Sequence, residues 1–307
     1  MTFLSSFRAA HPRSGPLLAL GLVLVGSSSI QVSAALSSSL FATVGTLGVS
    51  GLRMAVAAVV LLALTRPSLR GRSRRAWRGV VLYGVAMAAM NVLFYAAVQR
   101  LPLGLAVTLE FLGPLTVAAA GVARRRELAL PAAALVGVLL VAGPVGGVDA
   151  LGVGFGLGAA VAFGAYTFLA GRVGDDTAGL DGLALSVAVG ALALLPVSVP
   201  AVPRVAAGGW GVLVVSGLLG VALAFSLDFL AVRVSSTRVV GTLFAMDPVT
   251  GALVGAALLG DPLGVRAVVG ILLVSAAGAA TIWVAGRAAS GATADAADPA
   301  PVPAPLG

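Results

Sequence analysis

Two carboxylates and one guanidinium lie inside long apolar runs of this sequence. Glu110 sits near the middle of "LGLAVTLEFLGPLTVAAAGV" (103–122), four residues before Pro114. Asp247 immediately precedes Pro248 in "GTLFAMDPVTGALVGAALLGD", and Arg53 lies some seven residues inside the run that begins near residue 46. A charged side chain at mid-bilayer depth costs about 2.5–3.5 kcal/mol on insertion scales, so such residues call for a reason. A buried carboxylate can bind a cationic group or exchange a proton, and desolvation moves its pKa toward the working range. The alternative is a structural acid satisfied by a neighbouring Tyr, Asn or backbone group. For Arg53 three roles stand level: holding a carboxylate bidentately, pairing with Glu110, or capping a helix C-terminus.

Other polar residues share these runs. Gln31 stands in "SSSIQVSAALSSS" (27–39), where it favours lining a polar path, while the serines favour close helix packing. Asn91 and Tyr95 are one helical turn apart in "AAMNVLFYAAV" and share a face. Tyr166 is the corresponding candidate of the second half, although span tyrosines more often pack than bind. Asp228 is expected to pair with Arg233 near a span end. Asp261 and Glu127 read as turn or capping residues, and "GVGFGLG" (152–158) as helix packing rather than a dinucleotide fingerprint.

The elements that must position these residues follow from composition. Of 307 residues 59% are apolar and 10% charged, with a mean hydropathy of +1.09, against about 25% charged in a soluble domain. The expected class is therefore an all-α polytopic membrane protein. There is no cysteine, which removes disulfides, thiol catalysis and thiolate metal sites, and the single histidine, His11, precedes the first apolar run. No cofactor, metal or enzymatic role is expected, and nucleic acid is not an expected partner.

Runs of about 20 apolar residues give ten expected transmembrane helices: roughly 16–36, 46–65, 79–98, 103–122, 128–144, 151–171, 181–199, 210–231, 238–259 and 264–285. "VSAALS" in the first weakly resembles a cleavage site, but the run reads as a span. All 19 basic residues are arginine. With both termini cytoplasmic, fifteen arginines fall on the cytoplasmic side: Arg8 and Arg13, the group from Arg66 to Arg78, Arg124, Arg125, Arg126, Arg172, Arg233, Arg238 and Arg287. Only Arg100, Arg204 and Arg266 fall opposite, the asymmetry expected of a membrane protein in this orientation. Residues 1–15 form a short N-terminus, and the Ala- and Pro-rich 286–307 a disordered cytoplasmic tail.

The chain also repeats itself. Ala97, Val98, Thr108, Leu109, Pro114, Thr116 and Ala118 match Ala231, Val232, Thr242, Leu243, Pro248, Thr250 and Ala252 at an offset of 134. Trp77 and Gly84 match Trp210 and Gly217 at 133, as does "VGVLLV" (136–141) with "VGILLV" (269–274). Two halves of five helices, 16–145 and 151–285, follow. Five being odd, they insert as inverted repeats, whose sites lie near the midplane where paired helices are interrupted. Pro114 and Pro248 are the expected helix breaks.

"SIQVSAALSSSLF", "GLRMAV", "YGVAMAAMNVLFYAAVQRLPLGLAVTLEFLGPLTVA" and "GTLFAMDPVTGALVGAALLGD" together resemble the threonine/homoserine exporter type of the drug/metabolite transporter superfamily, built from EamA repeats. The resemblance implies a bacterial plasma-membrane exporter of amino acids or related metabolites, driven by proton antiport. It carries Gln31, Arg53, Asn91, Tyr95 and Glu110 as polar positions of the family pattern. Asp228, Asp247 and Asp261 stand one methylene shorter than the glutamates of that pattern. Expected partners are a small-molecule substrate, protons and the lipid bilayer, with a homodimer left open. Efflux of hydrophobic cations is the competing transporter reading, and a membrane scaffold or passive channel the reading from another class.

Overall fold

Long apolar runs punctuated by Gly, Pro and Arg leave the backbone no hydrogen-bond partners but its own, which favours helix. The computed structural model describes residues 15–120, 129–142, 148–176, 180–234 and 243–297, and every regular element among them is helical. In chain order these are α1 (Gly15–Ser38), α2 (Thr46–Thr65), α3 (Arg74–Val98), α4 (Leu103–Ala120), α5 (Ala129–Ala142), α6 (Ala150–Asp176) and α7 (Asp181–Ala193). The rod α8 has three pieces: Ala207–Gly217, a π-helical turn Leu218–Leu223, and Ala224–Val234. The rod α9 opens with the 3-10 turn Phe244–Met246, continues as Asp247–Val254 and ends in a π turn, Gly255–Leu259. The last helix is α10 (Val265–Ala297).

The all-α expectation is met. Four helices, in α1, α2, α3 and α8, are long and apolar enough to cross a membrane, or five if α7 is joined to Leu195–Arg204 across a 52° bend. Shorter apolar stretches occupy α4, α5, α6, α9 and α10, so length and composition account for four or five of the ten expected spans.

Polar and apolar residues are distributed inside out. Gln31, Arg53, Asn91, Thr108 and several serines are buried, while Val161 and Val265 are 76% and 81% exposed. An aqueous protein would reverse this; a lipid-facing surface favours it. With no hydrophobic force between helices in lipid, close approach at small residues holds them. A Cβ on Gly137 of α5 would stand 2.7 Å from the Gly270 carbonyl of α10, and one on Gly270 would meet the Gly137 carbonyl at 2.5 Å. Gly84 of α3 lies against the Ser186 carbonyl of α7, and Gly217 of α8 against the Arg53 carbonyl of α2.

These contacts fit a regular scheme. α3 packs on α6 and α1 on α8; α4 packs on α6 and α1 on α9; α3 packs on α7 and α2 on α8. The pairs α2–α7, α4–α9 and α5–α10 are each their own counterpart. Exchanging each helix for the one five places along maps these pairs onto one another, while the α4–α10 and α2–α3 contacts have no comparable counterpart among the described residues. The 133 offset that relates Gly84 to Gly217 and Gly137 to Gly270 also relates Arg53 to Ser186.

Three expectations are revised. Pro114 does not break its helix: α4 runs through it, and the missing N–H simply leaves the Glu110 carbonyl without its helical donor. Pro248 lies in the first turn of the α-helical part of α9, where a proline sacrifices no hydrogen bond; the interruption is the 3-10 turn before it. α10 continues past 285 to Ala297, into the segment expected as a disordered tail. Arg8, His11, Arg13, Arg124, Arg125, Arg126, Glu127 and Arg238 lie outside the described residues.

Candidate functional site

Helical spacing aims one face of each central helix at a common space. On α1, Ser27, Ile30, Gln31 and Ala34 follow the i, i+3, i+4, i+7 pattern, and on α4 Val107, Glu110 and Phe111 do the same. With Arg53 of α2, Asn91 and Tyr95 of α3, Tyr166 of α6, Asp228 of α8 and Asp247 of α9, they enclose a cavity of about 80 Å³ open to the centre of a water molecule. One ordered water needs about 10–15 Å³ by this measure, so several fit.

Arg53 is the cavity's cation and is only 3% exposed. Its guanidinium carbon lies 4.7 Å from the centroid of the Tyr95 ring, an attraction worth about 0.5–2 kcal/mol. The tyrosine is held in turn: its hydroxyl donates to Ser37 Oγ at 3.0 Å, Ser37 donates to the Ser33 carbonyl, and Ser33 donates to the Ser216 carbonyl of α8. Phe41 and Phe94 pack against the same ring at 5.2 and 5.9 Å. The π turn of α8 places Gly220 beside the guanidinium, where a Cβ would come 2.5 Å from Arg53 Nη2. Insertions of this kind often mark functional positions in helices. Arg53 forms no ion pair among the described residues, so pairing with Glu110 is not the arrangement found, and its Nε is buried without an acceptor.

The acids come from the other side. Glu110 is half-buried on α4, Asp247 on α9 and Asp228 on α8, and Asp247 interacts electrostatically with both others. Asp247 stands where the 3-10 turn passes into α-helix. Thr250 Oγ1 donates to the Asp247 carbonyl at 3.0 Å and lies 2.7 Å from Ser27 Oγ of α1, a hydroxyl that also interacts with the Asp247 carboxyl. Asn91 donates to the Met87 carbonyl at 3.2 Å. Tyr166 stacks on Tyr83 with centroids 4.8 Å apart and tilts against Phe225. Phe94, Phe111, Phe163, Phe225 and Phe244 join Tyr95 and Tyr166 as aromatic wall.

Gln31, Arg53, Asn91, Tyr95, Glu110, Tyr166 and Asp247 thus face one cavity although they are dispersed over 216 positions of chain. Sequence reasoning placed Asp228 near a span end beside Arg233; the structure puts it in the cavity wall. The repeat held the signal, because at the 133 offset Asp228 is the counterpart of Tyr95. Asp261 also differs from its expected part: Oδ2 accepts the Leu103 N–H at 2.7 Å and so caps α4, a helix 158 residues earlier in the chain.

Known proteins are similar to this chain. A model of the EamA-like transporter family matches residues 150–284. The threonine/homoserine exporter RhtA of Salmonella typhimurium strain SL1344 is 35% identical over 259 residues, covering 81% of this chain and 84% of that one. RhtA of Escherichia coli K12 is 34% identical over 252 residues, covering 80% and 85%. A solved crystal structure superposes with a TM-score of 0.58 at 15% identity over 87% of this chain and 98% of that one, which shows the fold alone. With a helical polar cavity, a matched second half and relatives aligned over most of both lengths, the chain belongs to the EamA-like transporter family.

Proposed function

We propose that this protein is a secondary exporter of small amino acids such as threonine and homoserine, or of related metabolites, working by proton antiport in a bacterial plasma membrane. Ten spans in two inverted five-helix repeats, 16–145 and 151–285, with both termini cytoplasmic, complete the reading. The helix pairs that map onto one another under exchange of halves support the repeats, and the arginine asymmetry supports the orientation. The names of the RhtA relatives support the cargo.

One observation carries the chemistry: a single cavity opposes an arginine without an ion-pair partner among the described residues to three carboxylates. A zwitterion offers a carboxylate to Arg53 and an ammonium to the acids. It adds no net charge, so the surplus negative charge in a low-dielectric space is balanced by protons. Glu110, which lines the cavity and has no hydrogen-bond partner among the described residues, is the coupling group in this scheme. Gln31, Asn91 and Tyr166 line the path, and Tyr95 holds Arg53.

Proteoliposome uptake of labelled threonine and homoserine, with and without an imposed pH gradient, tests the reading. Wild type is expected to respond to the gradient and Glu110→Gln to lose that response, by roughly tenfold or more if the carboxylate is essential. Absence of any transport by folded wild type removes the amino-acid cargo and keeps the fold.

A second reading, efflux of hydrophobic cations, gains from the aromatic wall. The protein is only 6% aromatic, yet seven aromatic rings gather at this one cavity. Gradient-driven transport of ethidium by the same vesicles, competing with threonine, would favour it.

A further inference from the structure

Three buried acceptor atoms on residues that line the cavity have no donor among the described residues: Gln31 Oε1 on α1, Asp228 Oδ1 on α8 and Asp247 Oδ1 on α9. Gln31 is only 3% exposed, so water does not relieve it from outside. Buried acceptors without donors are rare in native interiors because each keeps its full desolvation penalty. Three such acceptors on residues lining one cavity match a group with three donors and no acceptor, which is the primary ammonium. The buried donor left unmatched at the same cavity is Arg53 Nε, the complement of a carboxylate.

We infer that Gln31, Asp228 and Asp247 together receive a primary ammonium group of the cargo, with Asp228 a direct binding residue. The inference deepens the export reading and rests on it for the cavity's role as a cargo site. It also fixes orientation: ammonium toward α1, α8 and α9, carboxylate toward Arg53, and Glu110 left free to carry the proton.

Gly26 supports the assignment from the opposite helix. A Cβ there would stand 3.2 Å from Asp228 Oδ1, while its other neighbours, the Ala224 carbonyl and Leu227 Cβ, lie at an ordinary 3.6 Å. The absence of a side chain on that turn of α1 leaves room for the Asp228 carboxylate. A methyl at residue 26 presses on this oxygen and little else.

The test is ligand binding to the purified full-length protein in detergent, by calorimetry, with three probes. L-Threonine carries both ends, threonine methyl ester keeps the ammonium, and N,N,N-trimethylthreonine keeps the carboxylate but has no N–H. Wild type is expected to bind the first two and to bind the trimethyl compound roughly tenfold or more weakly. Asp228→Asn should weaken both ammonium ligands by a similar factor, and Gly26→Ala should do so in the same direction. If Asp228→Asn does not elute as a monodisperse species, Gly26→Ala decides. Equal binding of the trimethyl compound, or wild-type affinity in the folded variants, overturns the inference. Binding of the ester but not of threonine leaves the ammonium site standing and removes the amino-acid reading. Binding of none of the three overturns both.

Discussion

At the scale of single residues, the arrangement turns on how a buried guanidinium is kept without a carboxylate beside it. Arg53 rests on the Tyr95 face, and Tyr95 is fixed through Ser37 and Ser33 to the backbone of α8. The ring and its hydroxyl therefore contribute separately, and two substitutions separate them. Tyr95→Phe keeps the ring, releases one hydrogen bond, and is expected to cost about 0.5–1.5 kcal/mol of stability with transport retained. Tyr95→Leu also removes the cation–π contact and is expected to lose transport. Thermal unfolding in detergent and vesicle uptake read the two effects independently; equal behaviour of the two variants would show that the ring does not position Arg53. Arg53→Lys belongs with the severe changes, because an ammonium presents no planar fork to a carboxylate.

At the scale of helices, the crossings depend on backbone contact rather than on side-chain volume. Gly137 and Gly270 face each other across α5 and α10, each within 2.7 Å of where the other's carbonyl would meet a new Cβ. Neither backbone can yield as a flexible side chain would. Gly137→Ala and Gly270→Ala are each expected to destabilise by roughly 1–3 kcal/mol. Since one separation of the helices relieves both, the double variant should cost less than the sum. Unfolding midpoints of the four proteins form the cycle, and additive losses would mean that the helices do not share one contact. The glycines were legible as repeat-matched residues, but which helix each one met was not, because a one-dimensional pattern has no partner in it.

At the scale of the whole molecule, links between loops tie together helices far apart in the chain. Arg100, after α3, pairs at 2.9 Å with Asp149 at the start of α6, and Asp261, before α10, caps α4. The Gly152 N–H, and with it the Arg100 guanidinium, hold the Asp149 carboxyl below its ordinary pKa. A lowered folded-state pKa contributes stability above the unfolded value, near 3.9 for Asp, and that contribution is lost as pH falls through the folded value. Asp149→Asn is accordingly expected to lower the melting temperature slightly at pH 7, with the gap to wild type closing in the acid range. The effect is small because the pair is exposed and screened. A gap that persists below the carboxylate range would point to lost packing instead.

Much of this was readable before any fold. Apolar runs, the arginine asymmetry and the absence of cysteine define an all-α membrane protein, because the bilayer restricts backbone and charge so strongly. Glu110, Arg53 and Asp247 stood out for the same reason: charge is conspicuous in grease. Only the tertiary structure decided that all seven candidate side chains meet at one cavity, that Asp228 joins them, that Arg53 rests on a ring rather than on Glu110, and that α4 passes through Pro114 unbroken. Those outcomes depend on which faces of distant helices turn toward each other. That is settled by close packing at glycines and by hydrogen bonds between helices far apart in the chain, which no local spacing records.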